Sequence, residues 1–386
     1  MALATALFAA AEAHAEPGVF DDRIVFGQSA ALEGPAASLG LALKAGILAA
    51  FREANRAGGI HGRTLELISY DDNYEPEKAI VNTRRLIDED SVFALVGEVG
   101  TPTSLAAEPI AEDAGVPFVG PFTGATRLRD PDLGTVVNLR ASYDQEAEEL
   151  VRYLTEDLGF TRIAIFYQDD SFGQAGLEGT VAALARRGLE PVADFTYMRN
   201  TTAVKRGVLA IRRADPEAVV IVGAYKPTAA FISIAHDIGV DPVYATLSFV
   251  GSKALAEELG PDEPPVVVSQ VVPLYDDARI GLVRDYRAAL TGESGEPATD
   301  LAWAEDSFVG LEGYAVGRLV VEALKELGPE PTREDFLALF SRDGRYDLGN
   351  FPLSFGPGDN QGSDAVYLTT TNPDDSFSYV EPAAIQ

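Results

Sequence analysis

The sequence predicts an α/β protein with parallel sheets, folded as two lobes, and three observations carry that expectation. Runs of β-branched and aromatic residues alternate with amphipathic segments along most of the chain. Glycines punctuate the ends of the amphipathic segments, at Gly115, Gly159, Gly188 and Gly239, as left-handed helix ends require. The length of 386 residues, 46% of them hydrophobic, is ample for a large core and suits two domains better than one. A ladder of βαβ units divided into two lobes leaves a cleft for a small ligand between them.

The clearest unit lies near the start. Leu43, Ile47, Ala50, Phe51 and Ala54 fall on one helical face. Gly58 and Gly59 stop that helix, and residues 64–70 then alternate as a strand. Asp71 and Asp72 end the strand where short carboxylates cap the next helix. Further strands are expected at 23–27, 92–96, 116–119, 161–167, 192–197, 218–222, 243–246 and 266–272. Helices are expected between them at 39–56, 76–89, 103–113, 144–157, 173–187, 202–213, 227–238 and 252–259. Longer helices follow at 278–290 and 305–327, with a shorter one near 333–340. The tail from 346 reads as strand and turn around Gly356-Pro357-Gly358-Asp359-Asn360.

Composition excludes several functions. The net charge is -30, with 30 basic against 60 acidic residues, so no basic stripe is available for nucleic acid. Such an acidic chain is either simply soluble or adapted to a salt-rich habitat, where salt screens the repulsion; the second reading is the sharper one. There is no cysteine, which removes disulfides, thiol catalysis and cysteine-based metal sites. His14, His61 and His236 are the only histidines, and no nucleophile elbow, phosphate loop, zinc-protease or dinucleotide motif occurs. A binding protein without catalytic residues, cofactor or metal is therefore expected, with a carboxylate-only hydrolase as the enzymatic alternative. Residues 2–13 are nearly all Ala, Leu and Phe, and Ala13-His14-Ala15 resembles a cleavage site, so residues 1–15 read as an export signal. That segment lacks a preceding Lys or Arg, and a helix buried in the fold is the alternative.

Ligands of open α/β sheets bind beyond the carboxyl ends of the strands. The segments there are 28–35, 97–104, 120–125, 168–173, 223–227 and 247–251, rich in small residues, hydroxyls and aromatics. That composition suits a ligand held by helix-start amides and hydroxyls between aromatic walls. Blander roles compete: Thr101, Thr103 or Ser104 as helix cap, Phe122 and Phe249 as core, and Asp71-Asp72 and Asp169-Asp170 as structural caps. Trp303, the only tryptophan, is expected to pack rather than to line a pocket.

The ordered set Gly34-Pro35, Gly40, Gly58-Gly59-Ile60, Tyr70-Asp71-Asp72, the hydroxyl turn at 101–104, Pro121-Phe122-Thr123-Gly124-Ala125, Phe172-Gly173, Tyr225, Ser248-Phe249-Val250-Gly251 and Gln270-Val271-Val272-Pro273 resembles the type I periplasmic solute-binding proteins of the branched-chain amino acid ABC transporter group. The resemblance spans roughly 22–380. It implies two Rossmann-like lobes joined by a three-crossing hinge, with crossings near 140–143, 272–276 and 350–355. The first lobe would be 22–141 plus 274–351, and the second 142–273 plus 352–386. It also implies a periplasmic monomer that closes on a small molecule and is read by a membrane permease.

Site residues follow from the resemblance position by position. Thr101 stands where a hydroxyl receives the ligand carboxylate. Phe122, Thr123 and Gly124 stand where backbone groups and a second side chain are offered. Leu39 occupies the place of an aromatic wall, Phe172 replaces a tyrosine, and Tyr225 matches one. Phe249 falls where amino-acid binders carry the acid that meets the ligand ammonium. A buried ammonium without a counter-charge is strongly unfavourable. The replacement therefore argues for an organic or aromatic acid, or another apolar compound, unless Glu98 or Asp169 supplies the charge for an amino acid. A ligand-sensing receptor domain of the same fold is the other functional reading.

Overall fold

The computed structural model describes residues 16–291 and 298–380; the expected export signal and the last residues of the tail lie outside the described residues. Two sheets organise the chain. The first contains β1 (Arg23–Ala30), β2 (Thr64–Asp71), β3 (Ala94–Val96), β4 (Phe118–Val119) and β5 (Val136–Val137), in the order β2-β1-β3-β4-β5. All its pairs are parallel. Between the strands run α1 (Ala37–Arg56), α2 (Pro76–Asp88) and α3 (Thr101–Asp113).

The second sheet follows α4 (Tyr143–Arg152). Its parallel strands are β6 (Ile163–Gln168), β7 (Ala193–Tyr197), β8 (Ala218–Val222), β9 (Val243–Thr246) and β10 (Val266–Gln270). They alternate with α5 (Ser171–Ala185), α6 (Lys205–Ala214), α7 (Tyr225–Asp237) and α8 (Ser252–Leu259). The chain then returns to the first lobe as α9 (Gly281–Thr291), α10 (Phe308–Leu327), α11 (Arg333–Arg342) and a hairpin, β11 (Arg345–Asp347) with β12 (Pro352–Ser354). Finally β13 (Tyr367–Thr371) and β14 (Phe377–Tyr379) extend the second sheet antiparallel beside β10. The strand–helix alternation read from the sequence is thus the observed order.

Three details differ from expectation. The segment expected as one helix from 305 starts at Phe308, because the Ser307 hydroxyl caps it by accepting from the Gly310 amide at 3.1 Å. Trp303 belongs to a separate short turn, Ala302–Ala304. β5 was not anticipated; two residues are too few for alternation to show. The third crossing also falls later than 350–355. Phe355 packs edge-on against Phe340 of α11 at 5.0 Å, and Phe336 of the same helix packs on Phe93 beside the first sheet. Residues 352–355 therefore stay with the first lobe, and the chain rejoins the second sheet only at β13.

The first lobe is locked by a close crossing of α1 and α10. A β-carbon on Gly46 would lie 2.0 Å from the Gly310 carbonyl oxygen, and one on Gly313 would lie 2.2 Å from that of Leu43. Only hydrogen fits between these backbones.

Candidate functional site

The two lobes repeat one device where helix follows strand. In the first lobe, Gly40 in the opening turn of α1 lies against the Ala31 carbonyl just past β1. In the second, Gly173 of α5 lies against the Gln168 carbonyl at the end of β6. A side chain at either would collide with backbone, so each helix begins tight on its strand end. Both starts then face the opposing lobe.

Residues just beyond the strands meet there. Phe122 of the first lobe and Phe249 of the second have ring centroids 5.3 Å apart. Phe172 lies 4.5 Å from Phe249, Tyr74 5.8 Å from it, and Tyr143 5.4 Å from Phe172. All five rings are buried. Against this cluster, the Thr101 and Thr123 hydroxyls hydrogen-bond each other at 2.7 Å. Other contacts also cross the cleft: the Ser38 amide faces the Tyr225 hydroxyl at 3.5 Å, and Gln168 Nε2 donates to the Tyr74 hydroxyl at 3.3 Å. The lobes are closed on one another.

Helix starts give the cleft its electrostatic character. α1, α3, α7 and α8 all begin at this interface, and among the described residues none of them has a side-chain cap or an acidic residue in its first turn, whereas the start of α5 is capped by Asp170. The expected capping by Thr101, Thr103 or Ser104 does not occur. Gly100, with φ of 96°, takes the cap position of α3, and Thr103 donates to the Gly100 carbonyl instead of accepting an amide. Uncapped helix N-termini attract negative charge.

Two cavities open at the interface. One, of about 560 Å³, is lined by Pro35, Tyr74, Gln168, Asn200, Ala224 and Lys226 among others. The other, of about 250 Å³, lies among Leu39, Ala42, Gly251, Lys253, Trp303 and Val309. Two of the six lysines of the chain therefore stand at the cavities.

Behind the aromatic cluster lie buried ionisable groups. Glu98 accepts the Ser29 amide at 3.0 Å through one oxygen, and its other oxygen has no partner among the described residues. Burial raises its carboxyl well above the usual range, although the Ser29 bond pulls the other way. Asp72, which accepts from the Ser29 hydroxyl and the Tyr74 amide, is pushed up to about 6 by burial. On the hinge side, buried Arg140 reaches Glu146 at 2.6 Å, the Ser248 hydroxyl, and Glu312 at 3.6 Å. Glu146 in turn accepts from the Ser248 amide at 2.8 Å and the Ser269 hydroxyl at 2.6 Å. It thereby fixes the turn that carries Phe249. Arg140 also lies 5.2 Å from the Phe122 ring centroid.

The sequence-derived residues thus divide. Phe122, Phe172 and Phe249 share the aromatic cluster, with Thr101 and Thr123 in hydroxyl contact beside it. Gly124 is packed under Tyr143, where a β-carbon would lie 2.6 Å from the Tyr143 amide nitrogen. Tyr225 bridges the lobes, and Leu39 lines the smaller cavity. Glu98 sits beside Ser29 and Asp72. Asp169 is exposed and joins none of these groups. Its neighbour Asp170 caps α5 by accepting from the Phe172 and Gly173 amides.

Sequence reading missed Tyr74, Arg140 and Trp303. Tyr74 lies just beyond β2, so the strand-end rule would have reached it had the 72–75 segment been included. Trp303 is 48% exposed and lines a cavity, contrary to its expected packing role. Nothing in the sequence marks Arg140 except an isolated cation at a crossing. Among the described residues no cluster of three or more His, Asp or Glu is placed to hold a metal, and no helix is long and apolar enough to cross a membrane.

A family profile described as periplasmic binding protein matches residues 23–376. A solved structure of a possible leucine/isoleucine/valine-binding protein from Rhodopirellula baltica is 37% identical. It superposes with a TM-score of 0.85, over 96% of this chain and 98% of that one. An amino acid binding protein of Pseudomonas aeruginosa is 24% identical over 61% of this chain; the match spans 63% of that relative's own length. A solute-binding protein from R. palustris in complex with 4-hydroxybenzoate shares the fold, with a TM-score of 0.79 at 18% identity over 93% of this chain and 96% of that one.

Proposed function

Because the chain belongs to the periplasmic binding protein family, we propose that it is the extracytoplasmic solute-binding component of an ABC importer. It captures a small organic acid with an apolar or aromatic body between its lobes by hinge closure. The observation that carries the ligand class is the set of four uncapped, acid-free helix starts around an all-aromatic cluster. In a chain of net charge -30, helix starts without a carboxylate favour a negatively charged guest. The Thr101–Thr123 hydroxyl pair offers hydrogen bonds to a carboxylate, and Lys226 stands at the larger cavity. That cavity lies within the size range of small-molecule sites. The ligand of the R. palustris relative, an aromatic acid, is of the favoured class. The closed form is then read by a membrane permease.

An amino acid is the second reading, and the unpartnered buried oxygen of Glu98 supports it. Thermal-shift screening in high salt separates the two, with aromatic acids, short dicarboxylates, amides and aliphatic amino acids as the panel. A ligand at a hundred times its dissociation constant adds about 2.7 kcal/mol. Shifts with acids alone, lost in the Thr101→Val/Thr123→Val variant, support the first reading. Shifts with leucine-like amino acids, lost in Glu98→Gln, overturn it in favour of the second. Recovery of the bound compound unchanged distinguishes either from catalysis.

A further inference from the structure

We propose that Arg199 and Asn200 of the second lobe form, with Glu75 of the first, a latch that holds the lobes together across the cleft mouth without a bound ligand. Both oxygens of Glu75 are taken from the other lobe: Arg199 Nη2 lies 2.8 Å from one, and Asn200 Nδ2 lies 2.8 Å from the other. Asn200 Nδ2 also donates to the Asn73 carbonyl at 3.1 Å. The Arg199 guanidinium lies 5.9 Å from the Tyr74 ring centroid.

Each half is organised before the two meet. Asp170, itself fixed as the cap of α5, holds Arg199 Nη1 at 3.1 Å. On the first lobe, Asp71 and Asp72 accept the Asn73 and Tyr74 amides at 3.2 and 2.8 Å. Pre-positioned partners lose less freedom on contact. A lone exposed ion pair contributes little, but here one carboxylate takes two donors and one guanidinium takes two carboxylates.

Backbone conformation singles out the same place. Asn73, Tyr74 and Asn200 have φ of 51°, 60° and 58°, a region unfavourable for a bulky residue such as tyrosine. Residues held this way gather at clamps and switches, where surrounding contacts over-determine them. Tyr74, Gln168 and Asn200 all line the larger cavity, so the latch is also part of its wall. Glu75 and Arg199 side chains are 38% and 21% exposed, which leaves the pair open to screening by salt.

The chain has no cysteine, so introduced cysteines label without background. Val81 on α2 and Leu209 on α6 are 65% and 52% exposed, one on each lobe. Spin labels at Val81→Cys and Leu209→Cys report the inter-lobe distance by pulsed electron resonance. The protein is first unfolded, dialysed free of small molecules and refolded. The wild-type background is expected to show a short-distance population. Glu75→Gln and Arg199→Gln should each deplete that population by about threefold or more, with the double variant no worse than either alone and the melting temperature little changed. Salt at about 1 M should deplete the wild-type population to a similar extent. A wild type found only at the long separation, variants with unchanged distances, or additive losses in the double variant would each overturn the latch. No solute is added, so this result stands or falls separately from the ligand reading.

Discussion

The ring of Phe122 on the first lobe lies 5.3 Å from the ring of Phe249 on the second, and Phe249 also touches Tyr74 and Phe172. One side chain thus joins aromatic walls contributed by both lobes. Phe249→Ala should leave a void that the Glu146-anchored turn cannot collapse to fill. We expect a loss of about 3–5 kcal/mol, as for buried aromatic truncations, measured by urea unfolding. A loss under about 1 kcal/mol would mean that the cluster opens freely in solution.

The α1–α10 crossing gives a prediction independent of the cleft. Gly313→Ala places a methyl against the Leu43 carbonyl, at a position 2.2 Å from its oxygen. Backbone cannot swing aside as a side chain can, so the helices must separate. The expected cost is about 1–3 kcal/mol, read from the shift in urea midpoint. An unchanged midpoint would show that the helices are less tightly apposed than the structure has them.

These two sites also show what the sequence could and could not convey. Alternating polarity located nearly every strand and helix, because period and glycine punctuation are local signals. That Phe122, Phe172 and Phe249 meet in one cluster was reachable because all three lie just beyond strand ends, where topology brings the two lobes together. Asp169 misled because two adjacent acids follow β6 and only the second turns to cap α5. Arg140 was invisible for the opposite reason. Glu146 is six residues away, but its other partners, Ser248 and Glu312, come from distant parts of the chain, and no local pattern announces a contact of that range. Trp303 was expected to pack, but it sits on the short turn before α10, 48% exposed and lining a cavity.

A pH dependence follows from Asp72. Burial raises its carboxyl to about 6 in the folded protein, with the Ser29 and Tyr74 hydrogen bonds opposing, against 3.8 in a free chain. Between these values the folded state binds the proton that the unfolded chain has released, so this contribution to stability falls as pH rises. It is fully present below about pH 4 and gone above about pH 6, and the change amounts to about 2–3 kcal/mol. Asp72→Asn can still accept the Tyr74 amide through its oxygen and donate to Ser29. Urea midpoints measured across that window should therefore slope downward less steeply in the variant than in the wild type. Equal slopes would show that Asp72 stays ionised when folded.

The last prediction concerns the whole surface. With 60 acidic residues against 30 basic ones, the folded chain brings like charges closer together than the unfolded chain does. Salt shortens the range of that repulsion from about 10 Å at 0.1 M to about 3 Å at 1 M, and so favours the compact state. Calorimetric melting temperature should rise steadily with potassium chloride over that range. Sucrose also stabilises by exclusion from the surface, so a matched sucrose series separates screening from general solute effects. Charge screening requires the larger rise in salt. The latch responds in the reverse direction, because its opposite charges are screened by the same ions. A chain that melts higher in salt while its lobes part more readily would be the joint signature of acidic repulsion over the surface and an ion-paired closure at the cleft. A melting temperature indifferent to salt would sink the reading of the acidic composition as an adaptation to salt.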